Sequence, residues 1–175
     1  MKLNPASKLV LFFFASTQVL ASLTYYVLSL IRPDGYVFGV YYRMIMYHKA
    51  HPLQYIAVVA VTYALVATPF ALMFARLAGW KRSVLIVGIM LFSVWLASFP
   101  GGFLYGLHHM RPSSLHQVFY RWRELMGEVR LGGELGVYII AGSTPFNVIG
   151  LILGFFVTRR GFQMAGHARQ EMKDR

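Results

Sequence analysis

Four long apolar runs, separated by polar and mostly basic segments, dominate the pattern of this chain. The runs cover residues 9–31, 55–78, 83–105 and 135–157. Each is close to the roughly 20 residues with which a helix crosses a bilayer. Because short connections favour antiparallel neighbours, the pattern predicts an all-α membrane protein with four transmembrane helices in an antiparallel bundle.

The segment at residues 114–130 has a different pattern, in which apolar side chains recur at helical spacing among polar ones. Ser114 and Gln117 have capping-box spacing, and Gly132 with Gly133 supplies a helix stop. The apolar face consists of Leu115, Phe119, Trp122, Leu125 and Met126. Such a helix lies in the bilayer interface or covers a bundle end. We therefore predict an amphipathic interfacial helix between the third and fourth spans.

Two further segments complete the predicted organisation. Residues 36–50 are too short and too often interrupted to span a bilayer. They are rich in Tyr, which prefers the head-group level, so we expect a second amphipathic or re-entrant segment there. Residues 1–158 then form a single transmembrane domain, and residues 159–175 form a basic cytoplasmic tail.

The first apolar run also has features of a signal peptide. Lys2 and Lys8 precede it, and the sequence from Val19 to Ala21 resembles a cleavage site. The apolar run continues well past Ala21, whereas the apolar part of a signal peptide is short. We therefore expect an uncleaved first span.

Small residues form a stripe along the second run, at spacings of three and four. The stripe contains Ala57, Ala60, Ala64, Ala67, Ala71 and Ala75. Small side chains on one face let two helix backbones approach closely. The stripe predicts either packing within the bundle or a seam between copies of the chain. If it is a seam, Ala64→Leu and Ala67→Leu should disrupt assembly. Gly150 and Gly154 form a weaker GxxxG pair in the fourth run.

Three prolines lie within apolar runs. Pro69 should kink the second span, with the Thr68 hydroxyl satisfying a freed carbonyl group. Pro100, followed by two glycines, should break the third span near its far end. Pro145 and its neighbour Thr144 lie inside the fourth. Broken helices of this kind are typical of transporters.

Composition and charge agree with a membrane location. The chain is 57% apolar and only 13% charged, whereas soluble domains carry about 25% charged residues. The net charge of +11 comes from Lys and Arg beside the apolar runs, so anionic lipids are a better match than nucleic acid. The predicted lipid or partner contacts are Arg76, Lys81, Arg82, Arg159 and Arg160. Lys and Arg residues are more numerous on the side of the two termini and of the connection at residues 76–82 than on the opposite side. This excess predicts cytoplasmic N- and C-termini in the plasma membrane, or in the inner membrane of a bacterium.

Candidate chemistry is sparse. The chain has no Cys, which excludes disulfides, thiolate metal sites and dithiol redox chemistry. Five histidines fall on one predicted side of the membrane: His48, His51, His108, His109 and His116. Imidazoles from two loops can hold Zn or Cu, although no ligand spacing here is diagnostic. None lies in the middle of two facing spans, as haem ligation requires. We therefore predict no cofactor.

No arrangement of carboxylates or nucleophiles predicts catalysis. Glu124 and Glu128 are one helical turn apart and more typical of a solvated ion-pair face with Arg121. The leading hypothesis is a membrane subunit without catalytic activity, which oligomerises and anchors a partner or senses events at the membrane. One alternative is a small channel or transporter that depends on Thr144 or Asn147. Another is a His-based metal or haem protein.

Overall fold

The computed structural model describes residues 4–31, 52–142 and 146–171. It has helices α1 (Pro5–Ile31), α2 (Pro52–Met73), α3 (Gly79–Met110), α4 (Leu115–Tyr120), α5 (Trp122–Gly142) and α6 (Phe146–Glu171). Among the described residues, four stretches are long and apolar enough to cross a membrane: Pro5–Leu28, Leu53–Met73, Gly79–Met110 and Val148–His167. The predictions of an all-helical fold and of a multi-pass membrane protein are confirmed at this level.

The alanine stripe, which runs along α2 and ends with Ala75 in the turn after it, lies inside the chain. Ala60, Ala64, Ala67, Ala71 and Ala75 are each at most 7% exposed, and Ala57 is half-buried. The core that surrounds the stripe contains Leu9 and Phe13 of α1, Ile86 and Ile89 of α3, and Phe162 and Ala165 of α6. Because alanine adds so little bulk, larger side chains from three other helices can pack against α2.

Helix α6 completes this core from the far end of the sequence. The Tyr63 hydroxyl of α2 hydrogen-bonds with the Thr158 hydroxyl of α6. The Phe13 ring of α1 packs edge to face on the Tyr63 ring, with centroids 5.7 Å apart. The same ring covers Gly161, where no side chain intervenes. The first and last long helices therefore contact each other directly.

The fourth apolar helix differs from its predicted bounds of 135–157. Residues 135–142 continue α5, and the apolar helix runs from Val148 to His167. At the other end, α6 continues through Arg159 and Arg160 because Phe162 and Ala165 are fully buried in the core.

The predicted break at Pro100 is wrong, since α3 is continuous from Gly79 to Met110. The Ser98 hydroxyl donates to the Trp95 carbonyl at 2.5 Å, and α5 packs on Gly102, the second of the two glycines that follow the proline. Such surroundings let membrane helices continue through proline. Helix α2 likewise continues through Pro69 to Met73. There the Thr68 hydroxyl is buried without a hydrogen-bond partner, so it does not satisfy the freed carbonyl as predicted.

The predicted amphipathic helix at 114–130 is divided in the structure. Ser114 caps α4 as expected, accepting from the Gln117 amide at 3.4 Å. The helix ends at Tyr120, and α5 begins at Trp122. Helix α5 then continues through Gly132 and Gly133 to Gly142, so the two glycines do not stop it. The predicted segment at 36–50 lies outside the described residues.

Candidate functional site

Helices α3 and α5 approach each other backbone to backbone through glycines. A Cβ atom at Gly132 would lie 2.5 Å from the Ser98 carbonyl oxygen and 2.9 Å from the Gly102 Cα, closer than real Cβ atoms come. Nearer the connection, a Cβ at Gly106 would lie 2.7 Å from Leu125 Cδ1, and Leu125 is fully buried. Later residues of α3 therefore contact earlier residues of α5, so the two helices are antiparallel and form a tight hairpin.

Helix α4, at the tip of this hairpin, has no buried residue. Leu115 is 78% exposed, Phe119 is 71% exposed and Tyr120 is 85% exposed. Trp122 and Arg123 beside them are also exposed. We call Leu115, Phe119, Tyr120, Trp122 and Arg123 the tip surface. Of the five residues predicted for an interfacial face, Leu115, Phe119 and Trp122 belong to it. Leu125 instead packs against α3, and Met126 is half-buried.

An ion pair fixes the junction between α4 and α5. Arg121 Nε donates to Glu124 Oε2 at 2.9 Å, and its terminal nitrogen also contacts the same oxygen. This hydrogen bond lowers the pKa of the Glu124 carboxyl and raises the pKa of the Arg121 guanidinium. The Arg121 amide donates to the Gln117 carbonyl at 3.0 Å, which ties the junction to α4.

A second exposed pair joins Arg130 to Glu134 at 3.0 Å, one helical turn along α5. Two of the three carboxylates on α5, those of Glu124 and Glu134, are therefore paired with arginines. Both pairs are exposed, as expected for a solvated charged face.

The histidines near the hairpin do not converge. His108 Nδ1 lies 2.8 Å from the Leu104 carbonyl oxygen, and the His109 ring stacks on Tyr105 with centroids 6.0 Å apart. His116 is exposed on α4. Within the described residues, no group of three or more metal-ligating side chains comes together. His48 and His51 lie outside those residues.

The five predicted basic contacts lie in two places, around the α2–α3 connection and on α6. Arg76 and Lys81 are exposed around the α2–α3 connection, and Arg82, half-buried, donates through Nε to the Leu77 carbonyl. Arg159 and Arg160 are exposed on α6, immediately after the buried Thr158. Within the described residues, none of these five side chains forms an ion pair with a carboxylate.

A cavity of about 150 Å³ lies between α1, α2, α3 and α6, in the middle of the apolar helices. Four hydroxyl-bearing residues contribute to its wall: Thr17, Thr24, Tyr63 and Ser93. Gly150 and Gly154, predicted as a helix-packing pair, also line it. Met90 covers Gly154, whereas no atom lies within 4 Å of a Cβ built at Gly150.

Sequence analysis missed the hairpin and the cavity. The signal for the hairpin was present, since one glycine doublet follows Pro100 and another lies at residues 132–133. We interpreted both as helix ends, although paired doublets on either side of an amphipathic segment also fit a close crossing. The cavity had no signal in sequence, because its wall combines residues from four helices.

Comparison with protein-family models, with curated proteins and with solved structures finds no match to this chain.

Proposed function

We propose that this chain is a membrane subunit without catalytic activity, which holds a partner protein at the membrane surface through the tip surface. The observation that carries the proposal is the exposure of Leu115, Phe119 and Tyr120 on a helix with no buried residue. Aromatic and arginine side chains contribute most to binding energy in protein interfaces, and the tip surface combines them.

The distribution of these side chains favours a protein over bare lipid. Leu115 and Phe119 are four residues apart and share one side of α4, whereas Tyr120 is about 100° further round. A bilayer surface covers one face of a helix that lies on it. A partner protein can enclose two sides, so it accounts for the exposure of all three residues.

The length of α3 supports a location at the head-group level. Its 32 residues extend about 48 Å, whereas the hydrocarbon layer is about 30 Å thick. With Trp80 in the interface on one side, the Met110 end reaches the opposite head groups. The α3–α5 hairpin then holds the tip surface rigidly where a partner can reach it.

The basic side completes the proposal. Arg76, Lys81, Arg159 and Arg160 hold anionic lipid head groups at the cytoplasmic surface, in an antiparallel bundle with both termini inside. The burial of the alanine stripe within the chain supports packing inside the bundle rather than a seam between copies. We therefore favour a different protein as the partner over a second copy of the chain.

The first test is photo-crosslinking in native membranes. A benzophenone amino acid replaces Phe119 in one variant and Phe156 in the control. Phe156 is also exposed, but it lies within the fourth apolar helix. We expect a discrete protein adduct from position 119 and only lipid adducts from position 156. Native mass spectrometry of the gently solubilised complex should show the same partner, lost in Phe119→Ala/Tyr120→Ala.

Other outcomes contradict the proposal. Lipid adducts alone from position 119, with Trp122 fluorescence quenched by brominated lipid, would make α4 a membrane-bound helix. An adduct of twice the chain mass would identify a second copy as the partner. Ion or solute flux in proteoliposomes that is lost on Ser93→Ala or Thr17→Val would indicate a channel or transporter instead.

A further inference from the structure

We propose that the cavity between α1, α2, α3 and α6 binds an acyl chain of an anionic phospholipid. The proposal is independent of the tip surface, since it concerns the middle of the bundle. It rests on the chemistry of the cavity wall, on its opening and on the basic residues that follow it on α6.

The wall presents little hydrogen-bonding capacity to a ligand. Thr24 donates to the Leu20 carbonyl at 2.7 Å, and Ser93 donates to the Ile89 carbonyl at 2.6 Å. The Tyr63 hydroxyl is engaged by Thr158. Three of the four hydroxyl-bearing residues in the wall are therefore already hydrogen-bonded, two to their own helix and one to Thr158 of α6. Apart from these four residues, the wall is apolar. Such a cavity is a poor site for water or ions and a good one for hydrocarbon.

The size of the cavity also fits hydrocarbon. In another protein, an engineered apolar cavity of about 150 Å³ stays dry and binds benzene. The cavity here has the same volume, which suits a segment of a linear chain. It also reaches the outside of the bundle, since Leu91 lines it while remaining 38% exposed. A lipid chain can therefore enter sideways from the bilayer.

The nearby charge selects an anionic lipid. Val157 lines the cavity, and Arg159 and Arg160 follow it on α6, both exposed. From Gly150 to Arg159 is about 14 Å along the helix axis, a distance that an acyl chain spans easily. Arginine binds phosphate through paired hydrogen bonds. A phospholipid can thus place a chain in the cavity and its phosphate at these arginines.

Two glycine variants give a matched test. Gly150→Leu projects a side chain into the cavity, where no atom lies within 4 Å of the added Cβ. Gly88→Leu is the control, because Gly88 also has open space around it but is exposed and outside the cavity wall. Each variant is purified, delipidated and incubated with phosphatidylglycerol before native mass spectrometry. We expect one retained lipid for wild type and for Gly88→Leu, and its loss in Gly150→Leu.

A crosslinking experiment locates the chain. Phosphatidylglycerol with a diazirine in one acyl chain should label peptides of both α3 and α6 in wild type, at cavity residues such as Met90 and Leu151. Gly150→Leu should lose this labelling. If Gly150→Leu does not fold, as judged by size-exclusion chromatography, Ala21→Leu fills the same cavity from α1.

The head-group part is tested with Arg159→Gln/Arg160→Gln. We expect this variant to lose its preference for phosphatidylglycerol over phosphatidylcholine while acyl-chain labelling in the cavity persists. Equal lipid retention by Gly150→Leu and Gly88→Leu, or labelling confined to outward residues such as Ile152, would overturn the proposal. Retention of a prenyl quinone in place of phospholipid, identified by mass, would overturn the assignment to an acyl chain.

Discussion

The contact between Arg121 and Glu124 is a surface ion pair at a helix junction. It leaves the carboxyl oxygen of Glu124 shared by two guanidinium nitrogens. Because both side chains are exposed, solvent weakens the pair, and its effect on overall stability is small. Its local consequence is larger, since it holds the turn from which α4 departs at the tip of the hairpin.

This pair makes a pH-dependent prediction. The hydrogen bond from Arg121 lowers the folded-state pKa of Glu124. The stabilisation is therefore fully present above the unfolded carboxyl's pKa of about 4.3, and it is lost as pH falls through the folded value. NMR titration of the Glu124 carboxyl should show a pKa below the ordinary range. Arg121→Gln should raise that pKa, and Arg123→Gln should leave it unchanged. An ordinary Glu124 pKa in the unmodified protein would show that the pair does not form in solution.

At the scale of elements, the α3–α5 hairpin depends on glycine at the crossing. Gly102 and Gly132 let the backbones meet, and Leu125 then fills the space beside Gly106. A methyl group at the crossing must push two backbones apart, whereas one on the open side of α5 meets nothing. The two sides of the same helix therefore respond oppositely to the same substitution.

We expect Gly132→Ala to separate α5 from α3 and to destabilise the hairpin by a few kcal/mol, by analogy with overpacking in cores. Gly127→Ala is the control, because a Cβ there has no atom within 4 Å. It should be neutral or stabilise the helix by up to about 1 kcal/mol through helix propensity. Hydrogen exchange of α5 amides measures both effects. Equal protection in the two variants would contradict the close crossing.

The sequence predicted elements better than it predicted their contacts. Apolar runs long enough to cross a bilayer are visible locally, so the four apolar helices could be found. The continuation of the helices through Pro100 and Gly132 could not be predicted, because it depends on which residues of other helices pack beside those positions. Leu115, Phe119 and Trp122 of the tip surface could be recognised from their spacing, whereas Tyr120 and Arg123 could not. That Leu125 is buried instead of exposed with them could not be predicted, because its contact with Gly106 joins residues that are distant in sequence.

For the whole molecule, the buried alanine stripe changes the meaning of two substitutions. Ala64 and Ala67 are at most 1% exposed among residues of the other helices. Ala64→Leu and Ala67→Leu should therefore destabilise the fold, by about 1–3 kcal/mol each, rather than dissociate an oligomer. Thermal unfolding in detergent measures the loss. Val61→Leu, on the exposed side of α2, should change little. A lower oligomer mass with unchanged unfolding temperature would instead make the stripe a seam.

The contact of Phe13 with Gly161 also has a consequence for biosynthesis. Helices α1 and α2 are synthesised before α6. During that interval the Phe13 ring lacks its contact with Gly161, and the Tyr63 hydroxyl lacks its hydrogen bond with Thr158. Until α6 is made, the side of α1 and α2 that it covers in the finished bundle remains exposed. Synthesis of α6 is therefore the step that buries this surface and completes the contacts of Phe13 and Tyr63.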